Sequence, residues 1–219
     1  MLTLEQVKLK SQSRLVDLHP VVLAAAVALI ECCYARGIPI LITQGLRATA
    51  EQNGLYAKGR TQEQLNAVGL SHVKAQPKEI KVTNAIGGTS NHNYGLAIDF
   101  ALLLPDGRTV SWDTLRDGDK DSLPDWSEVV EEAKKLGFEW GGDWRSFKDM
   151  PHFEMTFGLT IKQLRTGQKP TETAMAKALA RIEKYMKEAD ELSAEDKKRI
   201  DALETAVKDL ATSRDVLKE

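Results

Sequence analysis

Several common classes are excluded by what this chain lacks. Its 219 residues carry a formal net charge of only −2, so there is no global basic field of the kind that marks a nucleic-acid-binding domain, and nucleic acid is not expected as a ligand. Cysteine is almost absent. Cys32 and Cys33 are adjacent, project about 100° apart if helical, and cannot supply the disulfide framework of a small secreted domain. They read as two small buried hydrophobes, in keeping with synthesis in a reducing cytoplasm. Long apolar runs are missing too. Val21–Ile30 is ten residues, against the ~20 needed to span a bilayer. It follows Glu5, Asp17 and His19-Pro20 rather than a compact positive start, so it reads as a buried helix, with no signal peptide and no membrane insertion.

What is present is an ordered alternation of helix and strand signals. Pro20 opens a helix that Gly37 stops, and Pro39-Ile40-Leu41-Ile42-Thr43 is a short buried strand leading into Gln44-Gly45-Leu46-Arg47. Residues 48–68 read as polar helix and loop, and 69–90 as an irregular connection suited to forming the wall of a cleft. Pro105-Asp106-Gly107-Arg108 closes a hairpin turn before Thr109-Val110-Ser111-Trp112. Asp125–Leu136 is an amphipathic helix stopped at Gly137, with Trp126, Val129, Val130 and Ala133 on its apolar stripe.

The chemistry lies in two short segments about fifty residues apart, Ser90-Asn91-His92-Asn93-Tyr94-Gly95-Leu96-Ala97-Ile98-Asp99 and Asp149-Met150-Pro151-His152-Phe153-Glu154. On one straight strand His92 and Asp99 would face opposite sides of the sheet, so a turn must intervene. Gly95, open to backbone angles closed to other residues, is suited to it. Beyond it Ala97, Asp99 and Ala101 share one face and Leu96, Ile98, Phe100 and Leu102 the other. His152, Glu154 and Thr156 likewise oppose Phe153, Met155 and Phe157. Two strands thus each present polar groups on one face and large apolar groups on the reverse, a rigid platform for a metal. A catalytic zinc takes three N/O ligands, leaves a fourth position for water, and works beside a carboxylate that accepts that water's proton. His92, Asp99 and His152 are residues of the type that could serve as such ligands. Asp149 is held nearby across the Met150-Pro151 bend, and Glu154 can orient an imidazole through its free N–H.

The run Ser90-x-His92-x-x-Gly95-x-Ala97-x-Asp99, followed by an acidic residue, two spacers and His152, resembles the zinc-dependent D-alanyl-D-alanine carboxypeptidase and dipeptidase family. It is most similar to the L-alanyl-D-glutamate endopeptidases of bacteriophage endolysins and their bacterial relatives. The likeness spans roughly residues 11–160. It implies one zinc per chain on His92, Asp99 and His152, Asp149 as the general base that returns its proton to the departing amine, and Arg47 on the scissile carbonyl or the oxyanion. Ser90 would contact substrate or steady the His92 loop, and Trp140 and Trp144 would line the cleft or pack in the core. Gln44 and Leu46 depart from the acidic and aromatic residues that family members often place around the arginine, which bears on substrate preference and not on the metal. His19 reads as a helix-entry residue, and His72 has no partner motif.

The last fifty residues change character. After Gly167-Gln168-Lys169-Pro170, residues 172–219 contain no Gly, Pro, Trp or Phe. Two helices are expected, joined near Leu192-Ser193. Met175, Leu179, Ile182 and Met186 form the stripe of the first, and Ile200, Leu203, Val207, Leu210 and Leu217, interrupted by Arg214, the seam of the second. The expectation is therefore an α+β fold in which helices flank a small antiparallel sheet carrying a zinc site, with a C-terminal α-helical hairpin. Its domains are a catalytic domain over 1–166, a linker over 167–171, and a module over 172–219 for wall targeting or self-association. The function expected is hydrolysis of the L-Ala–D-Glu bond of bacterial peptidoglycan by a phage-type lysin, made in the host cytoplasm and acting at the cell wall. The alternatives are release of D-Ala by the same zinc site, or a wall-binding module whose metal serves only stability.

Overall fold

A computed structural model describes residues 2–216. The chain opens with helix α1 (Leu4–Leu15), capped by Thr3 and Gln6 in a reciprocal capping box. Helix α2 (Pro20–Ala35) follows, with Pro at its first turn and the His19 ring accepting from the Val21 N–H. Strand β1 (Ile40–Gln44) comes next, then α3 (Thr49–Ala57) and α4 (Gln62–Asn66). The connection over 67–90 carries neither helix nor strand and leads to a 3-10 turn over Asn91–Tyr94. Strands β2 (Ala97–Leu103) and β3 (Val110–Ser111) precede helix α5 (Asp125–Leu136), and strands β4 (Glu139–Trp140) and β5 (His152–Glu154) follow it. Helices α6 (Ile161–Arg165) and α7 (Glu172–Val216) complete the chain.

The sheet is antiparallel throughout, in the order β1-β2-β5-β4, with β3 also paired to β2. β1 takes one edge of β2, while β5 and β3 share the other at its two ends. Helices α2 and α5 pack against each other, and the apolar face of the sheet is aromatic. Phe100 stacks on Phe153 with centroids 5.0 Å apart and meets Trp126 of α5 at 4.4 Å. Cys32 and Cys33 are both buried on α2, as expected of small apolar side chains. The α+β class and the small antiparallel sheet are as the sequence implies.

Gly95 does make the turn between His92 and Asp99. Its φ is +67°, and a Cβ there would lie 3.0 Å from the Asp17 carbonyl oxygen, so both the backbone angle and the close approach call for glycine.

The C-terminal hairpin is not formed. The structure runs a single helix from Glu172 to Val216, and Leu192-Ser193-Ala194 lies inside it. The physical reason is that no Gly or Pro interrupts the i→i+4 hydrogen bonding there, and Ser193 is tolerated within a helix as well as at its start. The side chains of Ile200, Leu203, Val207, Leu210, Arg214 and Leu217 lie outside the described residues. Residues 1–182 form one compact unit and 183–219 a second. Ile182, 5% exposed, is the last buried side chain of the first.

Candidate metal centre

The site grows out of strand register. Asp99 on β2 sits directly opposite His152 on β5, so the two side chains emerge side by side on the face opposite Phe100 and Phe153. On the other edge of β2, β1 bulges between Ile42 and Gln44 so that Gln44 pairs with Asp99. The chain then turns through Gly45 to Arg47, whose backbone N–H donates to the His92 carbonyl at 3.0 Å. The 3-10 turn thereby brings His92 over the sheet.

Three ligand atoms converge. His92 Nε2 lies 3.1 Å from His152 Nδ1, and Asp99 Oδ1 is 3.2 Å from each. A tetrahedral zinc with bonds of about 2.0–2.1 Å would set its ligands about 3.3 Å apart, so the triangle has the size that such an ion requires. The tautomers agree. His92 Nδ1 is 2.8 Å from the Gly45 carbonyl oxygen, and His152 Nε2 is 2.9 Å from Glu154 Oε2. With each remote N–H donated to those acceptors, both facing nitrogens turn lone pairs toward a third acceptor, Asp99. Three acceptors aimed at one point repel unless a cation or a proton sits among them.

The electrostatics follow from that arrangement. Burial pushes His152 down, but the Asp99 and Glu154 carboxylates outweigh it and raise the imidazole to about 9. Burial would raise Asp99, yet the two imidazoles hold its carboxyl well below the usual carboxylate range. Glu154 is lowered as well, because hydrogen bonds from His152 and from the Asn91 amide, at 2.8 Å, overcome its burial. Asp149 goes the other way. Burial, then the charge of Asp99, raise it against the opposing pull of His152, His92 and Arg47.

Asp149, Arg47, Ser90, Trp144 and the three candidate ligands line one cleft of about 570 Å³. Asp149 is placed by its bend. Its N–H donates to the Gly141 carbonyl at 3.2 Å, and a Cβ on Gly141 would lie 2.5 Å from the Asp149 carbonyl oxygen, a close approach that only glycine permits. Trp144 sits beside His152 with ring centroids 5.1 Å apart. Trp140 is not among the residues lining the cleft, which corrects its expected contact with substrate. Its indole N–H donates to the Met150 carbonyl at 2.8 Å, so the ring supports the bend from behind. Ser90 precedes the 3-10 turn, and Asn93 Oδ1 accepts from the Ser90 N–H at 3.4 Å. His19 caps α2 and packs on Phe157, and His72 is exposed. Neither approaches the cluster.

Arg47 makes two charge-assisted contacts, Nη2 to Asp99 Oδ2 at 3.3 Å and Nη1 to Gln52 Oε1 at 2.9 Å. Its Nε is buried with no hydrogen-bond partner among the described residues, which leaves a donor for a further oxygen. Sequence reasoning missed four supporting groups: the Gly45 carbonyl, Asn91, Gln52 and Asn93. Gln52 is fully buried and donates to the Ala85 carbonyl at 2.8 Å, and Asn93 donates to the Arg47 carbonyl at 2.8 Å. The two asparagines flanking His92 were the available signal.

The family described as D-alanyl-D-alanine carboxypeptidase matches residues 83–155, the span that holds all three candidate ligands. The chain is 50% identical over 139 residues to the peptidoglycan L-alanyl-D-glutamate endopeptidase CwlK of Bacillus subtilis (strain 168), covering 64% of this chain and 74% of that one. It is 37% identical over 93 residues to the L-alanyl-D-glutamate peptidase of Listeria phage A118, covering 40% of this chain and 30% of that one. Among solved structures, the Serratia marcescens L-Ala D-Glu endopeptidase ChiX aligns over 68% of this chain and 87% of its own at a TM-score of 0.44 and 23% identity.

Proposed function

Because this chain belongs to the M15 peptidase family of D-alanyl-D-alanine carboxypeptidases, we propose that it is a zinc-dependent peptidase that cuts the stem peptide of bacterial peptidoglycan between L-Ala and D-Glu. The observation that carries this reading is the triangle of His92 Nε2, His152 Nδ1 and Asp99 Oδ1, 3.1–3.2 Å on a side, in a chain half identical over 139 residues to an endopeptidase of that specificity. The donor set fits zinc, one ion per chain, and His92, Asp99 and His152 would hold it. When bound, the ion supplies an acidified water and a polarised peptide carbonyl.

The chain's own groups supply the rest. Asp149, raised by burial, is suited to accept a proton at its carboxylate and return it to the departing amine. That amine is a poor leaving group unless protonated. Arg47 holds Asp99 through Nη2 and offers its unpartnered Nε to the oxygen on which negative charge develops. Gly45 and Glu154 fix the imidazole tautomers. Trp144 and Ser90 flank the cleft as substrate contacts. Residues 1–182 act as the catalytic unit and 183–219 as a wall-targeting or self-associating module, the boundary falling after Ile182 and not at the 167–171 linker expected from sequence, with the enzyme at work on the cell wall.

Mass spectrometry of products from purified peptidoglycan tests the bond. New N-terminal Glu is expected. Release of free D-Ala would instead assign the carboxypeptidase reaction, the second reading favoured by the family description matched over residues 83–155.

A further inference from the structure

Away from the cleft, the segment formed by the end of the β3–α5 loop and the first turn of α5 gathers carboxylates. Its sequence is Asp117-Gly118-Asp119-Lys120-Asp121-Ser122-Leu123-Pro124-Asp125-Trp126-Ser127-Glu128, which sets acidic side chains at positions 1, 3, 5, 9 and 12 of a twelve-residue stretch. That is the ligand spacing of an EF-hand loop, in which position 7 contributes a backbone carbonyl and the glutamate at 12 closes the shell with both oxygens. One position departs. Ser122 stands where the pattern has glycine, and it adopts the left-handed φ of +76° for which glycine is used there. Two interlocking triads result, Asp117 with Asp119 and Asp125, and Asp119 with Asp121 and Glu128. In each, the candidate ligand oxygens lie within 4.8 Å of one another.

Spacing and acidity alone would describe a solvated loop. The independent observation is Glu128, which is only 3% exposed. One of its oxygens, Oε1, receives the Arg36 guanidinium. The other, Oε2, is buried without a hydrogen-bond partner among the described residues, an arrangement that costs stability unless something charged meets it. The neighbours of Glu128 on this side are acidic. Burial raises both Asp125 and Glu128, and the charges of Asp119 with Asp117, or of Asp121 with Asp119, add to it. Arg36 reaches Glu128 and Glu132, and Arg116 Nε lies 3.6 Å from Asp125 Oδ2, so the two arginines offset the cluster only in part.

The donor set is all oxygen, with no imidazole or thiolate, which suits a hard cation and not zinc. Five carboxylates, three on the loop and two on the first turn of α5, suit the six to eight oxygens that calcium takes, whereas magnesium demands a tight octahedron and keeps its waters. We propose that residues 117–128 form a Ca²⁺ site separate from the His92–Asp99–His152 centre. Asp117, Asp119, Asp121, Asp125 and Glu128 are its carboxylate ligands and the Leu123 carbonyl occupies the seventh position. The ion would clamp the start of α5, whose Trp126 packs on Phe100 behind Asp99.

The test uses the zinc-loaded full chain stripped of calcium, with Tb³⁺ as a luminescent probe of the loop and Trp126 as its sensitiser. Saturable terbium emission displaced by Ca²⁺ but not by equal Mg²⁺ is expected, with half-saturation by Ca²⁺ at or below about 10⁻³ M and a melting temperature raised by about 3 °C or more in excess Ca²⁺. Asp119→Asn should weaken both responses at least about tenfold in calcium concentration. Asp121→Asn, at an exposed residue with no contact to Arg36, should do the same if the first variant folds poorly. His92→Ala should leave terbium binding intact. The proposal is overturned by absence of saturable binding and thermal shift, by equal responses to Mg²⁺, by responses that survive both loop substitutions, or by loss of terbium binding in His92→Ala.

Discussion

At the scale of single residues, the proposed roles separate the groups that would hold an ion from the group that would move a proton. Asp149 carries no ligand atom in the triangle, so Asp149→Ala should leave zinc content near one per chain while hydrolysis of peptidoglycan falls by about 10²–10⁴-fold or more. Metal analysis alongside a turbidity assay checks both halves. Loss of zinc with activity would sink the separation. Glu154 is the opposite case. Its oxygen receives the remote N–H of His152 at 2.9 Å, so Glu154→Gln should weaken zinc affinity by about 10–100-fold, measured by competition with a chelator. Arg47→Lys keeps a positive charge but loses the planar fork that spans Asp99 and Gln52. It should lower kcat by roughly 10²–10³-fold with little change in KM.

At the scale of elements, the sheet explains why so much of the centre was legible in sequence and where legibility stopped. The period of two placed Asp99 and His152 opposite Phe100 and Phe153, and parity demanded the turn that Gly95 makes. The Gly45 carbonyl under His92 and the Gln52 amide beside Arg47 come from segments 47 and 5 residues away in sequence, brought in by the β1 bulge and by α3. No local pattern encodes those contacts. Trp140 was ambiguous because an indole suits a cleft as well as a brace, and only the Met150 carbonyl decides it. The tail failed for a different reason. Ser193-Ala194-Glu195-Asp196 has the composition of a helix start, but a start also needs something to end the preceding helix. The acidic spacing over 117–128 is legible in the sequence, but the burial of Glu128 beside Arg36 is not, because Arg36 lies 92 residues away. Phe153 is fully buried between Phe100 and Phe138, so Phe153→Ala should cost about 3–5 kcal/mol in denaturant melts. Zinc affinity should fall with it, since His152 is the adjacent residue.

At the scale of the whole molecule, a metal held by the triangle would compete with a proton for one place. In the metal-free protein His152 is raised from 6.5 to about 9, so its contribution to stability is present in full below about pH 6.5 and is lost as pH rises toward 9. Urea melts of the metal-free protein at the two ends of that window should show the decline, and zinc-loaded protein should not. At pH 7 zinc uptake should release about one proton, read by calorimetry in buffers of different ionisation enthalpy. The second unit enters separately. Removal of residues 183–219, which begin just beyond Ile182, the last buried side chain among the described residues, should leave the melting temperature and the cleavage of soluble stem peptides unchanged, and lower only the digestion of intact walls. Asp99 pairs with His152 across β2 and β5. A slip of one residue between β2 and β5 would turn one of the two to the opposite face and leave no triangle for the ion. Zinc uptake would therefore proofread the sheet, since it would reward a single alignment of strands drawn from distant parts of the chain and withhold stabilisation from every misaligned one.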